Sequence, residues 1–407
     1  MVKILNLSDI HLGSSFRHGK INPETQQNTR LEDFIHSLSI CIDRAINEDV
    51  DLVLFGGDAF PDSTPAPYIQ SAFANQFRRL AQGNIPTVLL IGNHDQHTQG
   101  SGGASLSIYR TLAVPNFIVG EHLETHLIET KSGLIQVITL PWLTRSVLLT
   151  RPETEGLSME QINQLLIQKI EPCLEDEIRR LNPDIPTILL AHVMAERASL
   201  GAERFLAVGK GFQIPLSMLI RSEFDYVSLG HVHKHQNLNP KNNPPVVYPG
   251  SIERVDFSEE KEEKGYVLIH LNQKQVHWEF CVLPARSFIT IEVDLSHSVH
   301  PETDLLEAIA KYNIEDAVVR LIYRLRSEQI ELVKMNVINE VLSISHTYTI
   351  KAEIISQLTR ARLPELGIGK SLDPLSALST YLNNRQDLQD LVPDMLAAAQ
   401  NLLSNIS

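Results

Sequence analysis

The chain alternates short aliphatic and β-branched runs with longer segments in which apolar residues recur every three or four positions. Ile4 to Leu7, Leu52 to Phe55, Val88 to Ile91, Ile188 to Ala191 and Tyr226 to Leu229 are apolar at nearly every position, which predicts strands of a buried sheet. Leu31, Phe34, Ile35, Leu38, Ile42, Ala45 and Ile46 share one face of a 3.6-residue period and predict a helix between the first two strands. Ser158 followed by Gln161 predicts a capping box, opening a second helix that runs to about Leu181. Up to about Leu283 the pattern is that of a layered α/β domain.

Beyond Pro284 the rhythm changes. Phe288 to Val293, Val318 to Tyr323 and His346 to Ile350 read as strands separated by helices, a small α+β domain. Thr359 to Lys370 is polar with Gly and Pro and reads as a linker. After it, Leu388, Leu391, Val392, Met395, Leu396, Ala399, Leu402, Leu403 and Ile406 form an apolar stripe, and Pro393 suits a first helical turn, so the continuous helix begins near Val392. A stripe so apolar must dock, on a partner or on its own chain. The division expected is 1–284, 285–358 and 359–407, in keeping with two to three domains for 407 residues. Glu259 to Lys264 mixes charge signs and reads as a solvated loop.

Composition narrows the classes. At 43% hydrophobic and 21% charged residues, the chain can bury a sizeable core and is not a disordered protein. No apolar run approaches the roughly 18 residues of a membrane span, so a soluble protein without a membrane partner is expected. Thirty-five basic residues against 49 acidic ones leave a net charge of −14. That balance argues against coating nucleic acid by charge alone; a local basic groove, a metal-bridged phosphate or a basic partner subunit stays open. Cys41, Cys173 and Cys281 lie far apart and form no CxxC pair, which indicates neither a disulfide framework nor a thiolate zinc site. The amino terminus shows no secretory signal, and a cytoplasmic location is expected.

The chemistry sits where the strands end. The five runs lead into Asp9-Ile10-His11, Gly57-Asp58, Gly92-Asn93-His94-Asp95, His192 and Gly230-His231-Val232-His233. One His at a strand end is more often structural; five such motifs in order are not. They are expected to converge on one edge of a sheet, where α/β proteins bind ligands, with alternation placing Asp9 and His11, or His231 and His233, on one side. Carboxylate, imidazole and amide oxygen without thiolate suit Mn²⁺, Fe²⁺ or Zn²⁺. Two such ions, roughly 3.5 to 4 Å apart, can hold a hydroxide in line with a phosphorus. Asp58 is the natural bridge, because a carboxylate has two oxygens to share. His94 exceeds the ligand requirement and can face the substrate as transition-state donor or general acid. His18, His36, His97, His122, His126 and His235 lack this context and read as surface or core residues.

The motifs DxH, GD, GNH[DE], H and GHxH resemble those of the calcineurin-like metallophosphoesterases at every element. Within that superfamily Ser8 to Gly13, Gly56 to Phe60, Tyr248 to Arg254 and the apolar terminal helix resemble the SbcD nuclease subunits, bacterial counterparts of the Mre-type DNA repair nucleases. This resemblance covers essentially the whole chain. It implies a layered α/β sandwich of mixed β-sheets flanked by helices, with a small α+β capping domain and C-terminal helices. It further implies that Asp9, His11, Asp58 and His233 hold one divalent ion and Asp58, Asn93, His192 and His231 the other, with Mn²⁺ expected, while His94 faces the phosphodiester. Pro61 and Asp62 stand where archaeal relatives place a second histidine, so the resemblance supplies no histidine partner for His94.

The activity so implied is a metal-dependent DNA nuclease of repair and recombination, an exonuclease on duplex ends and an endonuclease on hairpin or single-stranded structures. Its implied partner is an SbcC-type, SMC-like ABC ATPase. The alternatives are a stand-alone metallophosphodiesterase or phosphatase acting on nucleotides or phosphoproteins, and a silent scaffold. A small-molecule esterase has no need of a second domain and a terminal docking helix, which favours the nuclease. Tyr68, Phe73 and Phe77, with Leu106, Ile108, Tyr109 and Leu112, give two short helices apolar faces. By resemblance they would join in a two-fold homodimer bundle; otherwise they are buried within the subunit.

Overall fold

The computed structural model describes residues 1–97, 103–143, 155–199, 213–240, 242–272, 275–355, 374–383 and 391–404. They fall into two compact units, one comprising Met1–Glu292, Leu306–Ile322 and Lys334–Lys351, the other Val293–Leu305, Tyr323–Val333 and Ala352–Ser407. The strands of the first half are β1 (Val2–Leu7), β2 (Leu52–Phe55), β3 (Thr87–Leu90), β4 (Phe117–Gly120), β5 (Glu124–Thr130), β6 (Gly133–Leu140) and β7 (Thr187–His192). There follow β8 (Met194–Ala195), β9 (Gln213–Ile214), β10 (Tyr226–Gly230), β11 (Gln236–Asn237), β12 (Val246–Tyr248), β13 (Gly265–Asn272) and β14 (Gln275–Val282). The last are β15 (Phe288–Asp294), β16 (Val318–Arg326) and β17 (Thr347–Ile355), which form a three-stranded sheet in that order.

Two mixed six-stranded sheets, β14-β13-β1-β2-β3-β4 and β11-β12-β10-β7-β6-β5, lie face to face and are flanked by helices. Alternation along each central strand accounts for the unbroken apolar runs. Ile4, Leu52, Leu54, Val88 and Leu90 pack against Ile188, Leu190 and Tyr226 between the sheets. Leu5, Val53, Phe55 and Leu89 point the other way, under helices α1 (Thr29–Asn47) and α2 (Pro67–Gln82). Leu189, Ala191, Val227 and Leu229 do the same under the Met159–Arg179 helix. Both faces of the central strands of each sheet are thus dry. Two polar residues in these strands meet across the sandwich: the buried Ser228 hydroxyl donates to Asn6 Oδ1 at 2.8 Å.

The five motif-bearing strands do not share one sheet. β1, β2 and β3 belong to the first, β7 and β10 to the second. The antiparallel β13–β14 hairpin takes the place beside β1, with Ile4 opposite Ile269, so β10 pairs instead with β7 and β12. The ligand-rich edge is therefore built from two sheets.

Helix signals hold in detail. Asn28 caps α1 by accepting from the Arg30 N–H, and the Ser158–Gln161 capping box is formed on both sides. Phe73 and Phe77 are buried, stacked at 4.3 Å, and meet Phe55 edge-on. Of the residues expected to face a second copy, these two and Leu106 are core, whereas Tyr68, Ile108 and Leu112 are exposed.

In the second unit the terminal helix spans Val392–Ser404. Leu396 and Leu403 are half-buried, while Leu391, Met395 and Leu402 are exposed. The linker of 359–370, with Leu388 and Ile406, lies outside the described residues. No helix among the described residues is long and apolar enough to cross a membrane.

Candidate metal centre

The strand-end loops are held in an uncommon backbone conformation. Asp9, His11, Asp58 and His231 all have positive φ, at 51°, 46°, 58° and 100°. Residues other than glycine adopt this region only when their surroundings enforce it. The enforcement is visible: Asp9 N–H donates to the Gly57 carbonyl (2.9 Å), His11 N–H to that of Asp58 (3.0 Å), and His231 N–H to Asp9 Oδ1 (2.9 Å). Gly57, at φ 96°, must lack a Cβ, which would lie 2.6 Å from His192 Nδ1.

All eight predicted side chains meet at this edge. Among the described residues Asp9, His11 and His233 form one close group, His11, Asp58 and His94 a second, and Asp58, His192 and His231 a third. Asn93 joins the last through Oδ1, 3.0 Å from His192 Nε2 and 2.8 Å from His231 Nδ1. Asp58 Oδ2 stands 3.6 Å from His11 Nε2 and 3.4 Å from His192 Nε2. One oxygen thus faces both clusters.

Hydrogen bonds fix which ring nitrogens point inward. A carbonyl or carboxylate oxygen only accepts here, so His192 carries its proton on Nδ1 toward Gly56 (2.7 Å), and His233 carries its own on Nδ1 toward Glu259 (2.7 Å). Nε2 of each ring therefore turns to the interior, where a neutral ring offers its lone pair to a metal. His233 Nε2 lies 3.0 Å from His11 Nε2, an approach of two nitrogens that needs a shared proton or a cation between them. His231 Nε2 is buried with no hydrogen-bond partner among the described residues.

The electrostatics agree. Burial opposes the charge of Asp58, yet His192 and then His11 hold its carboxyl well below the usual range. Burial likewise disfavours a charged His192, but Asp58 raises it to about 9. Burial pushes Asp9 up to about 6, and lowers His231 to about 3 and His11 well below its ordinary value. The cluster attracts positive charge, while burial keeps His11 and His231 neutral, the condition in which an imidazole binds metal. Oxygen and imidazole donors in this arrangement fit divalent cations.

Residues 2–235 match the family model of the calcineurin-like phosphoesterases, more than half of the chain. The chain belongs to the calcineurin-like phosphoesterase family. As a member it carries a metal-dependent phosphoesterase domain, and the matched span contains every motif from Asp9 to His233. The SbcD subunit of the SbcCD nuclease from Staphylococcus epidermidis is 26% identical to this calcineurin-like phosphoesterase over 297 residues, 72% of this chain and 73% of that protein. Among solved structures, a dimetal phosphatase from Danio rerio is similar at 11% identity and TM-score 0.44, covering 69% of this chain and 95% of its own. The protein TT1561 of Thermus thermophilus is similar at 15% identity and TM-score 0.38, with coverage of 69% and 98%.

Sequence reasoning passed over four contributors. Asp95, fully buried, receives main-chain N–H groups of three neighbours and shapes the loops. Trp142 stacks on His231 at 4.9 Å. The Pro61 carbonyl lies 2.7 Å from His94 Nδ1. The fourth corrects the reading of Glu259 to Lys264 as solvated. Both end residues are buried, paired at 2.9 Å, because each neutralises the other and Glu259 also binds His233. Asp95 had a visible signal in the GNHD motif; the others depend on contacts between distant segments.

Proposed function

We propose that this chain is a DNA nuclease subunit that hydrolyses phosphodiesters at a centre of two divalent ions. The observation that carries the reading is Asp58, whose Oδ2 faces His11 on one side and His192 on the other. Asp9, His11, Asp58 and His233 would hold one ion, and Asp58, Asn93, His192 and His231 the second, with Mn²⁺ suited to this donor set. Bound there, such ions supply Lewis acidity and a water of lowered pKa.

The remaining work falls to His94. Its main-chain N–H donates to Asp58 Oδ1 at 2.8 Å, and its Nδ1–H to the Pro61 carbonyl at 2.7 Å. The ring is thereby oriented with Nε2 left free, and only the doubly protonated ring, with an Nε2–H as well, would donate to the departing oxygen or to the charge that builds on phosphate. A backbone carbonyl takes the place where a second histidine would otherwise assist.

Similarity to the SbcD subunit of the SbcCD nuclease supports DNA as substrate and an SbcC-type ATPase as partner. A net charge of −14 argues against binding DNA by bulk charge, so in this reading the metal centre and the partner would hold it. The division into 1–284 as the nuclease, 285–358 as a capping domain and 359–407 as the linker and docking helices forms part of the proposal. So do a cytoplasmic location and a homodimer using the exposed Tyr68, Ile108 and Leu112.

The test is cleavage by the purified chain with Mn²⁺ of hairpin DNA and of a cyclic nucleotide, with and without the ATPase. Hairpin cleavage that Asp58→Ala abolishes is expected. Hydrolysis of the cyclic nucleotide alone would overturn the nuclease reading.

A further inference from the structure

His233 is the candidate ligand with the most extensive support. Its Nδ1–H donates to Glu259 Oε1 at 2.7 Å, and both residues are buried. The other oxygen of Glu259 is taken up by Lys264 Nζ at 2.9 Å and by the Val255 N–H at 2.9 Å. Lys264 is itself held by Ser251 Oγ at 2.9 Å and Glu262 at 2.9 Å, and it reaches the His233 carbonyl at 3.3 Å. The cation therefore touches both the main chain of His233 and the carboxylate that orients its ring.

We propose that Glu259, clamped by Lys264, is a positioning residue that keeps His233 in the tautomer with Nε2 toward the metal, and so sets the affinity of the ion held with Asp9 and His11. The inference rests on the dinuclear reading above. A carboxylate on the far nitrogen makes an imidazole a stronger donor and fixes its ring plane. His192 is backed differently, its Nδ1 resting on the Gly56 carbonyl. The two ion positions consequently differ in kind, one backed by a buried charge and the other by a peptide dipole. Both Glu259 and Lys264 lie beyond residues 2–235, the span matching the family model.

The test is binding of Mn²⁺ alone to the full chain, followed by calorimetry and by electron paramagnetic resonance, with the metal-free melting midpoint recorded for each variant. The wild type should take up two ions. Glu259→Gln should weaken one step by about 10- to 100-fold and leave the other within about two-fold, and the weakened step should be the one that His11→Ala removes. Because Glu259→Gln removes one of the two carboxylates that neutralise the buried Lys264, the pair Glu259→Gln and Lys264→Met serves as the second variant, and it should show the same selective loss with a melting midpoint near that of the wild type. Unchanged affinities in both variants, or equal weakening of both steps, would overturn the inference. A wild-type chain that binds fewer than two ions would instead overturn the dinuclear reading beneath it.

Discussion

The Asp95 carboxylate grips Asp58 by its main chain and leaves the Asp58 side chain free for other work. Oδ2 of Asp95 accepts the Asp58 N–H at 2.8 Å and the Gly92 N–H at 2.9 Å, while Oδ1 accepts that of Ala59 at 3.0 Å. Two loops, after β2 and β3, are stitched by one buried anion. Asp95→Asn keeps the shape but turns an amide N–H₂ toward one set of N–H donors. We expect it to lower unfolding stability by about 3 kcal/mol, the scale of losing charge-assisted hydrogen bonds in a dry site. Chemical denaturation checks this, and a change within about 0.5 kcal/mol would reduce Asp95 to a bystander.

His94 separates chemistry from metal binding. It lies close to His11 and Asp58, near enough to be a ligand by distance alone, yet its Nδ1 is already engaged with Pro61. His94→Ala should retain both ions while losing at least about 10²-fold in rate, the usual scale for a positioned acid or donor. Metal content by mass spectrometry alongside turnover decides it. Stoichiometric loss of an ion would make His94 a ligand.

A stability effect with pH is expected from His18. It is buried, its Nε2 accepts from Arg17 Nε at 3.0 Å, and its ring meets Phe257 and Phe288 edge-on. Burial first, then Arg17 and Arg30, lower it to about 4. Between about pH 6.5 and 4 the unfolded chain binds a proton that the folded chain refuses, so this group's contribution is present above that window and lost as pH falls through it. His18→Gln should flatten the melting midpoint's decline over that range relative to the wild type. Parallel profiles would contradict the assignment.

In the proposed assembly the exposed face of the terminal helix is the one that meets the partner. Leu391, Met395 and Leu402 are exposed, and they sit on a face distinct from the half-buried Leu396 and Leu403. Each buried apolar side chain is worth about 1.5 to 3 kcal/mol, so Met395→Asp with Leu402→Asp should lower capture of an SbcC-type ATPase at least about 10-fold. Nuclease activity without the partner should survive. Undiminished capture in a pull-down would remove this face from the interface.

Much of this protein is written locally. Strand runs such as Leu52 to Phe55 coincide with the observed β2, and the Ser158 capping box and the start at Val392 fall where short-range hydrogen bonding and proline geometry put them. The chelating motifs are legible for the same reason: a ligand one or two residues past a strand is placed by that strand's own direction. Sheet membership is different. Nothing near β1 announces that β13, far along the chain, will pair with it, and that pairing is what divides the five motifs between two sheets. The positive φ of Asp9 and Asp58 also escapes a sequence, since it is imposed by hydrogen bonds from neighbouring loops. Glu259 and Lys264 make the point most sharply. As letters they are a charged run of the kind that solvent usually covers. Only the packing of the 251–264 segment beneath His233 removes that solvent, and once it is gone each charge must find its opposite.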